Sequence, residues 1–356
     1  MEPTRYDLDR DDWSRLLEGQ QRFRLEQVWN GLYHQNADLS ELSTLPKALR
    51  SRLEEAAPTA LTEVTRSVSD GGDTVKFLWE LRGGARVETV LMHYDDRSTV
   101  CVSSQAGCAM ACSFCATGQA GFERHLGVGE IVEQVVRARH EALTSSPSRR
   151  VSNIVFMGMG EPLANFDATW AAVHRIHDDM EIGARHLTIS TVGLVPGIDR
   201  LATADLPVNL AVSLHAANDT LRDELVPINR RYPLADLMAA CQRYFDASHR
   251  RVSFEWAMID GVNDRRSDAA ELAELCQPLR AHVNLIPLNP TPGYAVRGSS
   301  RNRVHEFRRE LERRGVNVTL RDTRGSEIDA ACGQLRAGHE ATPIRRPVRR
   351  RSVPTA

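Results

Sequence analysis

Three patterns of apolar and polar positions succeed one another along the chain. Through residue 60 apolar residues recur at helical spacing. "RFRLEQVWNGLYHQ" sets Phe23, Val28, Leu32 and Tyr33 on one face, with Leu25 and Trp29 adjoining it. "DLSELSTLPKALRSRLEEAA" follows with a Ser/Thr start, a proline near the helix start and a second amphipathic run. From 61 to 99 the period shortens to two: "LTEVTRSVSDGGDTVKFLWEL" places a Gly-Gly-Asp turn between apolar runs, and "ARVETVLMHY" comes after Gly83-Gly84. These predict strand hairpins. From about 100 to 322 the order is strand, loop, helix, repeated. Strands are predicted at "TVCVSS" and at residues 153–158, 186–191, 208–215, 251–258 and 282–288, with a late one at 316–321. Helical stretches such as "GEIVEQVVRARHEAL" and "SDAAELAELCQPLRAH" lie between most of them.

Short apolar strands alternating with helices predict an α/β fold with a parallel sheet and right-handed crossovers. Six consecutive units fit a partial or complete TIM-like barrel, which places chemistry at the C-terminal strand ends. The chain divides into a helical unit (1–60), a strand extension (61–99), the barrel core (100–335) and a Pro- and Arg-rich tail (336–356) expected to be disordered.

A net charge of −2 excludes a whole-molecule field for nucleic acid, so any such binding rests on local patches. Basic candidates are Arg22, Arg24, Lys47, Arg50 and Arg52 in the first helices, and Arg301, Arg308 and Arg309 near the end. The latter are interleaved with Glu306, Glu310 and Glu312, a pattern that favours a self-paired solvated helix. No apolar run approaches membrane-spanning length, and the N-terminus has no basic start followed by an apolar stretch, so a cytoplasmic protein is expected.

That compartment shapes the reading of the seven cysteines, four of which fall within the fifteen residues from Cys101 to Cys115. Clustered thiols in reducing surroundings more often ligate metal or do chemistry than form structural disulfides. Cys108, Cys112 and Cys115 follow a C-x3-C-x2-C spacing. His125 would complete a Cys3His zinc site, though nine residues separate it from the triplet. The alternative is a four-iron, four-sulfur cluster on three cysteines, which leaves one iron open. This spacing, with Phe114 before the third cysteine and the motif just after the first barrel strand, resembles the radical S-adenosylmethionine (SAM) enzymes. In them the open iron chelates the amino and carboxylate groups of SAM, and an electron from the cluster generates a 5′-deoxyadenosyl radical.

"IVFMGMGEPLANFD" is neither a dinucleotide fingerprint nor a P-loop. It resembles the radical SAM "GEP" element, in which Gly160 lets backbone approach the SAM ammonium and Glu161 adds a charge-assisted acceptor. Ser190, Ser213, Leu214, His215 and Asn289 fall at or just past predicted strand ends, and are candidates for ribose, adenine and carboxylate contacts. Cys241 and Cys276 sit among apolar neighbours in helical patterns and read as core. Cys332 follows the last predicted strand, flanked by glycines and charges, where a barrel's active face is within reach.

Together "CVSSQAGC", "MGMGEPLANFD", "TISTVGL", "VSLHAAND" and "EIDAACGQL" resemble the RlmN-like radical SAM adenine-C2 methyltransferases of bacterial 23S rRNA and tRNA, from the first helices to about Leu335. The resemblance implies a radical SAM (β/α)6 barrel holding one [4Fe-4S] cluster on Cys108, Cys112 and Cys115, with two SAM consumed per methylation. It implies that Cys332 takes a methyl from one SAM, that the radical from the second activates that S-methyl for addition to adenine C2, and that Cys101 releases the product through a transient disulfide with Cys332. Glu88 matches the family's proton acceptor; from the residue alone, a carboxylate on a strand reads as solvated. Implied partners are 23S rRNA, tRNA and a reducing donor such as flavodoxin or ferredoxin. A C8-specific methyltransferase, a metal-stabilised RNA-binding protein without catalysis and a radical SAM activase of proteins remain as rivals.

Overall fold

A computed structural model describes residues 2–145, 147–289, 296–321, 324–325, 328–331 and 333–335. Cys332 and the tail from 336 lie outside the described residues. The first segment folds into helices α1 (Arg10–Leu16), α2 (Phe23–Tyr33) and α3 (Lys47–Ala56). Asp9 opens α1 with a reciprocal capping box to Asp12, which satisfies two otherwise orphaned N–H groups. Val28, Trp29, Leu32 and Tyr33 are buried as the helical spacing predicts. Phe23 is not: at the first position of α2 it is half exposed, and the Arg24 guanidinium lies 4.9 Å from its ring centre.

The hairpins form an antiparallel run of β1 (Leu61–Ser69), β2 (Thr74–Leu81) and β3 (Arg86–His93), and β3 pairs antiparallel with β4 (Ser98–Cys101). Next come β5 (Gln105–Gly107), α4 (Ala116–Ala120), β6 (Phe122–His125), α5 (Val128–Thr144), β7 (Val151–Phe156), α6 (Phe166–His174), β8 (Leu187–Thr191) and α7 (Val195–Ala202). The remainder comprises β9 (Asn209–Ser213), α8 (Asp219–Leu225), α9 (Leu234–Ser248), β10 (Ser253–Met258), α10 (Arg266–Leu279), β11 (His282–Pro287), α11 (Arg301–Arg313) and β12 (Asn317–Leu320).

The main sheet runs β1-β2-β3-β4-β7-β8-β9-β10-β11-β12. From β4 to β12 every neighbouring pair is parallel. The six expected strands are therefore consecutive in space as in sequence, β12 adds a seventh, and the result is the α/β arrangement of a partial barrel. Helices bury the apolar runs, with Val100, Ile154, Ile189, Leu210, Phe254 and Val283 inaccessible to solvent. A shared strand direction has one consequence for chemistry. The C-terminal ends of β4 and β7 to β11 share a rim, and the polar strand-end residues collect there. Among the described residues no helix is long and apolar enough to cross a membrane.

Candidate active site

The cysteine loop is clamped between β5 and β6, which pair as a separate two-stranded ribbon. Gly107 has φ +72°, and a Cβ there would strike the Gly121 carbonyl, so only glycine lets the ribbon close this tightly. The Cys108 N–H donates to that same carbonyl (2.7 Å). The Ser113 N–H donates to Leu225 O at the end of α8 (3.1 Å), and the Ala116 N–H to Gly333 O (2.8 Å). Backbone from three distant parts of the chain thus fixes the loop.

Cys108, Cys112 and Cys115 line one cavity at the strand ends, together with Gly158, Gly160, Glu161, Ser190, Ser213, His215 and Asn289. Burial pushes the Cys108 thiol up to about 12 and raises Cys112 as well; Cys115 adds to both shifts, and Cys108 adds to that of Cys112. Such thiols ionise readily only when a positive centre offsets the burial. No three His, Cys, Asp or Glu side chains among the described residues converge closely enough for a single metal ion. His125 is exposed, hydrogen-bonded to Gln105 (3.0 Å), and does not line the cavity. The donor set therefore disfavours a closed Cys3His zinc site. Three thiols spread around one cavity, with no fourth cysteine among its described lining, fit a wider cluster with one open metal position.

The glycines after β7 allow close approach. A Cβ at Gly158 would fall 2.6 Å from Val102 O, and one at Gly160 (φ +104°) would fall 2.6 Å from the Gln105 side chain. Glu161 is buried behind them. Its two carboxylate oxygens accept the Leu163 N–H (3.1 Å) and the Val192 N–H (2.9 Å), tying the turn after β7 to the turn after β8. Burial outweighs these bonds and pushes its carboxyl up to about 7.

His215 has φ +60° and meets the Phe114 ring edge-on at 4.7 Å. Its Nδ1 accepts the Ala257 N–H (3.0 Å), which puts the proton of the neutral ring on Nε2. Burial pushes its pKa down to about 3, with the Arg222 charge adding to the effect, so the ring is a neutral donor near pH 7. Leu214 differs from the other strand-end candidates: its side chain is fully buried and does not line the cavity, while its carbonyl accepts from Arg222 Nε (3.1 Å). Two charged lining residues escaped the sequence reading, Glu255 on β10 and Arg321 after β12. Glu255 sits within an apolar strand, a pattern that in itself marks a buried carboxylate.

Cys101 ends β4 and lines a second cavity, which shares Met157, Ile286, Asn289, Arg321 and Leu335 with the first. The neighbours of Cys332 divide between the two: Ala331 lines the cavity of Cys101, and Gly333 lines that of the cysteine triplet. Glu88, on β3, is buried rather than solvated, and Lys76 Nζ lies 2.9 Å from its Oε1. The same ammonium donates to Asp329 O (3.2 Å).

The radical SAM superfamily model matches residues 102–275, the stretch that carries the triplet and the strand ends up to β10. Beyond it, a probable dual-specificity RNA methyltransferase RlmN from Chloroflexus aurantiacus is 50% identical over 353 residues, spanning 95% of this chain and 94% of that one. The chain belongs to the RlmN family of radical SAM RNA methyltransferases. The RlmN protein of Thermobifida fusca is also 50% identical, over 90% of both chains. A radical SAM methyltransferase from Sphaerobacter thermophilus superposes with a TM-score of 0.90 at 49% identity, covering 94% of this chain and 99% of that one. Membership in the radical SAM superfamily implies SAM and a [4Fe-4S] cluster in general terms, consistent with the donor set above.

Proposed function

We propose that the chain methylates C2 of an adenine in the peptidyl-transferase centre of 23S rRNA, and of the adenine beside the anticodon in certain tRNAs. The observation that carries this reading is the pair of adjoining cavities, one with three cysteines and one with Cys101, bordered on either side of Cys332 by Gly333 and Ala331. A radical SAM enzyme acting without a methyl-carrying thiol has no use for the second cavity.

Cys108, Cys112 and Cys115 hold the cluster, while Gly160, Glu161, Ser190, Ser213, His215 and Asn289 form the SAM side of the cavity, with Leu214 packed behind them. The bound pair supplies a methyl group and a 5′-deoxyadenosyl radical. Adenine C2 is too electron-poor to attack a sulfonium methyl, so the methyl travels on Cys332 sulfur and reaches the ring as a carbon radical. Glu88 accepts the C2 proton. The surplus electron of the adduct passes back to the bound cluster, leaving the base joined to Cys332 through a closed-shell thioether. The Cys101 thiolate then attacks the Cys332 sulfur, and the carbon–sulfur bond breaks as the disulfide forms. The freed carbon takes up a proton to become the methyl group, and an external thiol or dithiol reductant resets the disulfide. Asn289 and Arg321, shared by both cavities, bring polar groups to the place where these steps meet.

The target base leaves its stack to enter the rim, so structured RNA with an accessible adenine is the substrate class. The unit 1–60 contacts that RNA, residues 61–99 extend the sheet, and 100–335 carry the chemistry. A cytoplasmic flavodoxin or ferredoxin supplies the electron. Nucleoside mass spectrometry on 23S rRNA and tRNA treated with the anaerobically reconstituted enzyme tests the proposal. 2-Methyladenosine is expected; 8-methyladenosine alone would overturn it in favour of the C8 enzyme.

A further inference from the structure

Arg222 on α8 is completely buried, yet no carboxylate among the described residues lies within ion-pair distance of it. All three of its guanidinium nitrogens donate to neutral acceptors: Leu214 O (3.1 Å), Val192 O (2.6 Å), Ser213 O (3.4 Å) and Asn229 Oδ1 (2.8 Å). Two carboxylates are close by, but Asn229 stands between, donating its amide to Asp219 (2.9 Å) and Asp223 (2.7 Å). Burying an unneutralised cation is expensive, and direct pairing with either aspartate would relieve that cost. The interposed amide instead leaves the charge on the side of the cysteine loop. Burial pulls its pKa down to about 10, so it stays charged at neutral pH.

Cys112 shares a buried apolar cluster with Leu221 and Leu225 of the same helix, and the Ser113 N–H is bonded to Leu225 O. Val192 and Ser213, whose carbonyls Arg222 holds, line the cavity. We propose that Arg222 is a positioning residue that also acts electrostatically. It sets the strand ends after β8 and β9, and its unpaired charge raises the reduction potential of the cluster. The proposal rests on the assignment of that cluster to Cys108, Cys112 and Cys115. Reduction adds an electron to a centre already bearing three thiolates, so a nearby cation in low-dielectric surroundings stabilises the reduced form more than the oxidised one.

The test is a redox titration of the full-length, anaerobically reconstituted protein without SAM, monitored by electron paramagnetic resonance and paired with iron and sulfide analysis. Arg222→Gln is expected to retain iron and sulfide and to show a more negative midpoint potential, with Arg222→Lys nearer the wild type. Asn229→Asp combined with Asp223→Asn leaves the arginine in place, keeps the net charge and supplies an amide donor where Asp223 stood, so that a carboxylate moves to the arginine's side. It is expected to lower the potential too, including when Arg222→Gln does not fold. A wild-type potential in cluster-loaded Asn229→Asp/Asp223→Asn or Arg222→Gln overturns the electrostatic role. Wild-type protein that binds no iron or sulfide overturns instead the cluster assignment on which it rests.

Discussion

Lys76 and Glu88, on adjacent antiparallel strands, form a buried ion pair of 2.9 Å, and the same ammonium reaches the Asp329 carbonyl three residues before Cys332. One side chain therefore links the proposed proton acceptor to the segment that carries the proposed methyl-bearing thiol. Removing one member of such a pair weakens the compensation of a buried carboxylate, at a cost of about 3 kcal/mol. Lys76→Met is expected to destabilise the fold by that order in denaturant unfolding. In Lys76→Met/Glu88→Gln most of the loss should return, because no charge is stranded. A double variant as unstable as the sum of the single changes would contradict the pairing.

Glu161 and His215 push the pH dependence of cluster-free protein in opposite directions. The Glu161 carboxyl, raised by burial to about 7, binds its proton more tightly folded than unfolded, so its contribution to stability falls as pH rises from about 4.5 to 7. The His215 ring, lowered by burial to about 3, binds its proton more tightly unfolded, so its contribution rises with pH from about 3 to 6.5. The two partly cancel between about pH 5 and 6.5. Glu161→Gln should expose a rise of stability with pH across that interval, and His215→Asn a fall. Chemical denaturation at a series of pH values checks both signs.

Gly158 and Gly160 leave no room for a side chain, and Gly160 also needs φ +104°. Gly160→Ala combines backbone strain with a clash against Gln105, and is expected to destabilise by about 2 kcal/mol or more. Gly158→Ala meets the Val102 carbonyl and should weaken SAM binding through displacement of the turn. Equilibrium dialysis with labelled SAM on cluster-loaded protein measures the second effect, and a denaturant midpoint the first.

The proposed division of labour among the thiols predicts separable losses. Cys332→Ala should abolish RNA methylation while sparing iron and sulfide content, because Cys332 is not among the three cysteines proposed to hold the cluster. Cys101→Ala should also keep its cluster but trap RNA on the protein, visible as a band that disappears on nuclease treatment. Undiminished methylation by Cys332→Ala would refute the carrier role.

Periodicity and spacing are local properties, and what depends on them could be read from the chain alone. The helical run 22–35, the Gly-Gly-Asp hairpin and the strand–helix alternation each arise from neighbours within one turn or one pleat, so they predict α2, β1–β2 and the parallel strands. The triplet spacing likewise specifies three thiols on one short loop, and the burial of Cys241 and Cys276 follows from their apolar neighbours. Of the three arginines singled out on α11, Arg308 is paired as the spacing suggested, meeting Glu312 at 2.7 Å, whereas no ion pair of Arg301 or Arg309 is found among the described residues; Glu310 instead draws in Arg266 from α10. What separates Cys101 from the triplet is different in kind. It follows from β4 pairing with β3 and β7, which carries Cys101 to the wall of the second cavity. Glu88 reads as an ordinary strand carboxylate until the register of β2 and β3 buries it beside Lys76. Arg222 reads as a helix-surface arginine until α8 docks it against three carbonyls and the cysteine loop. Strand register and helix docking are decided by contacts between residues far apart in sequence, and no local pattern encodes which charge will find itself alone in the interior.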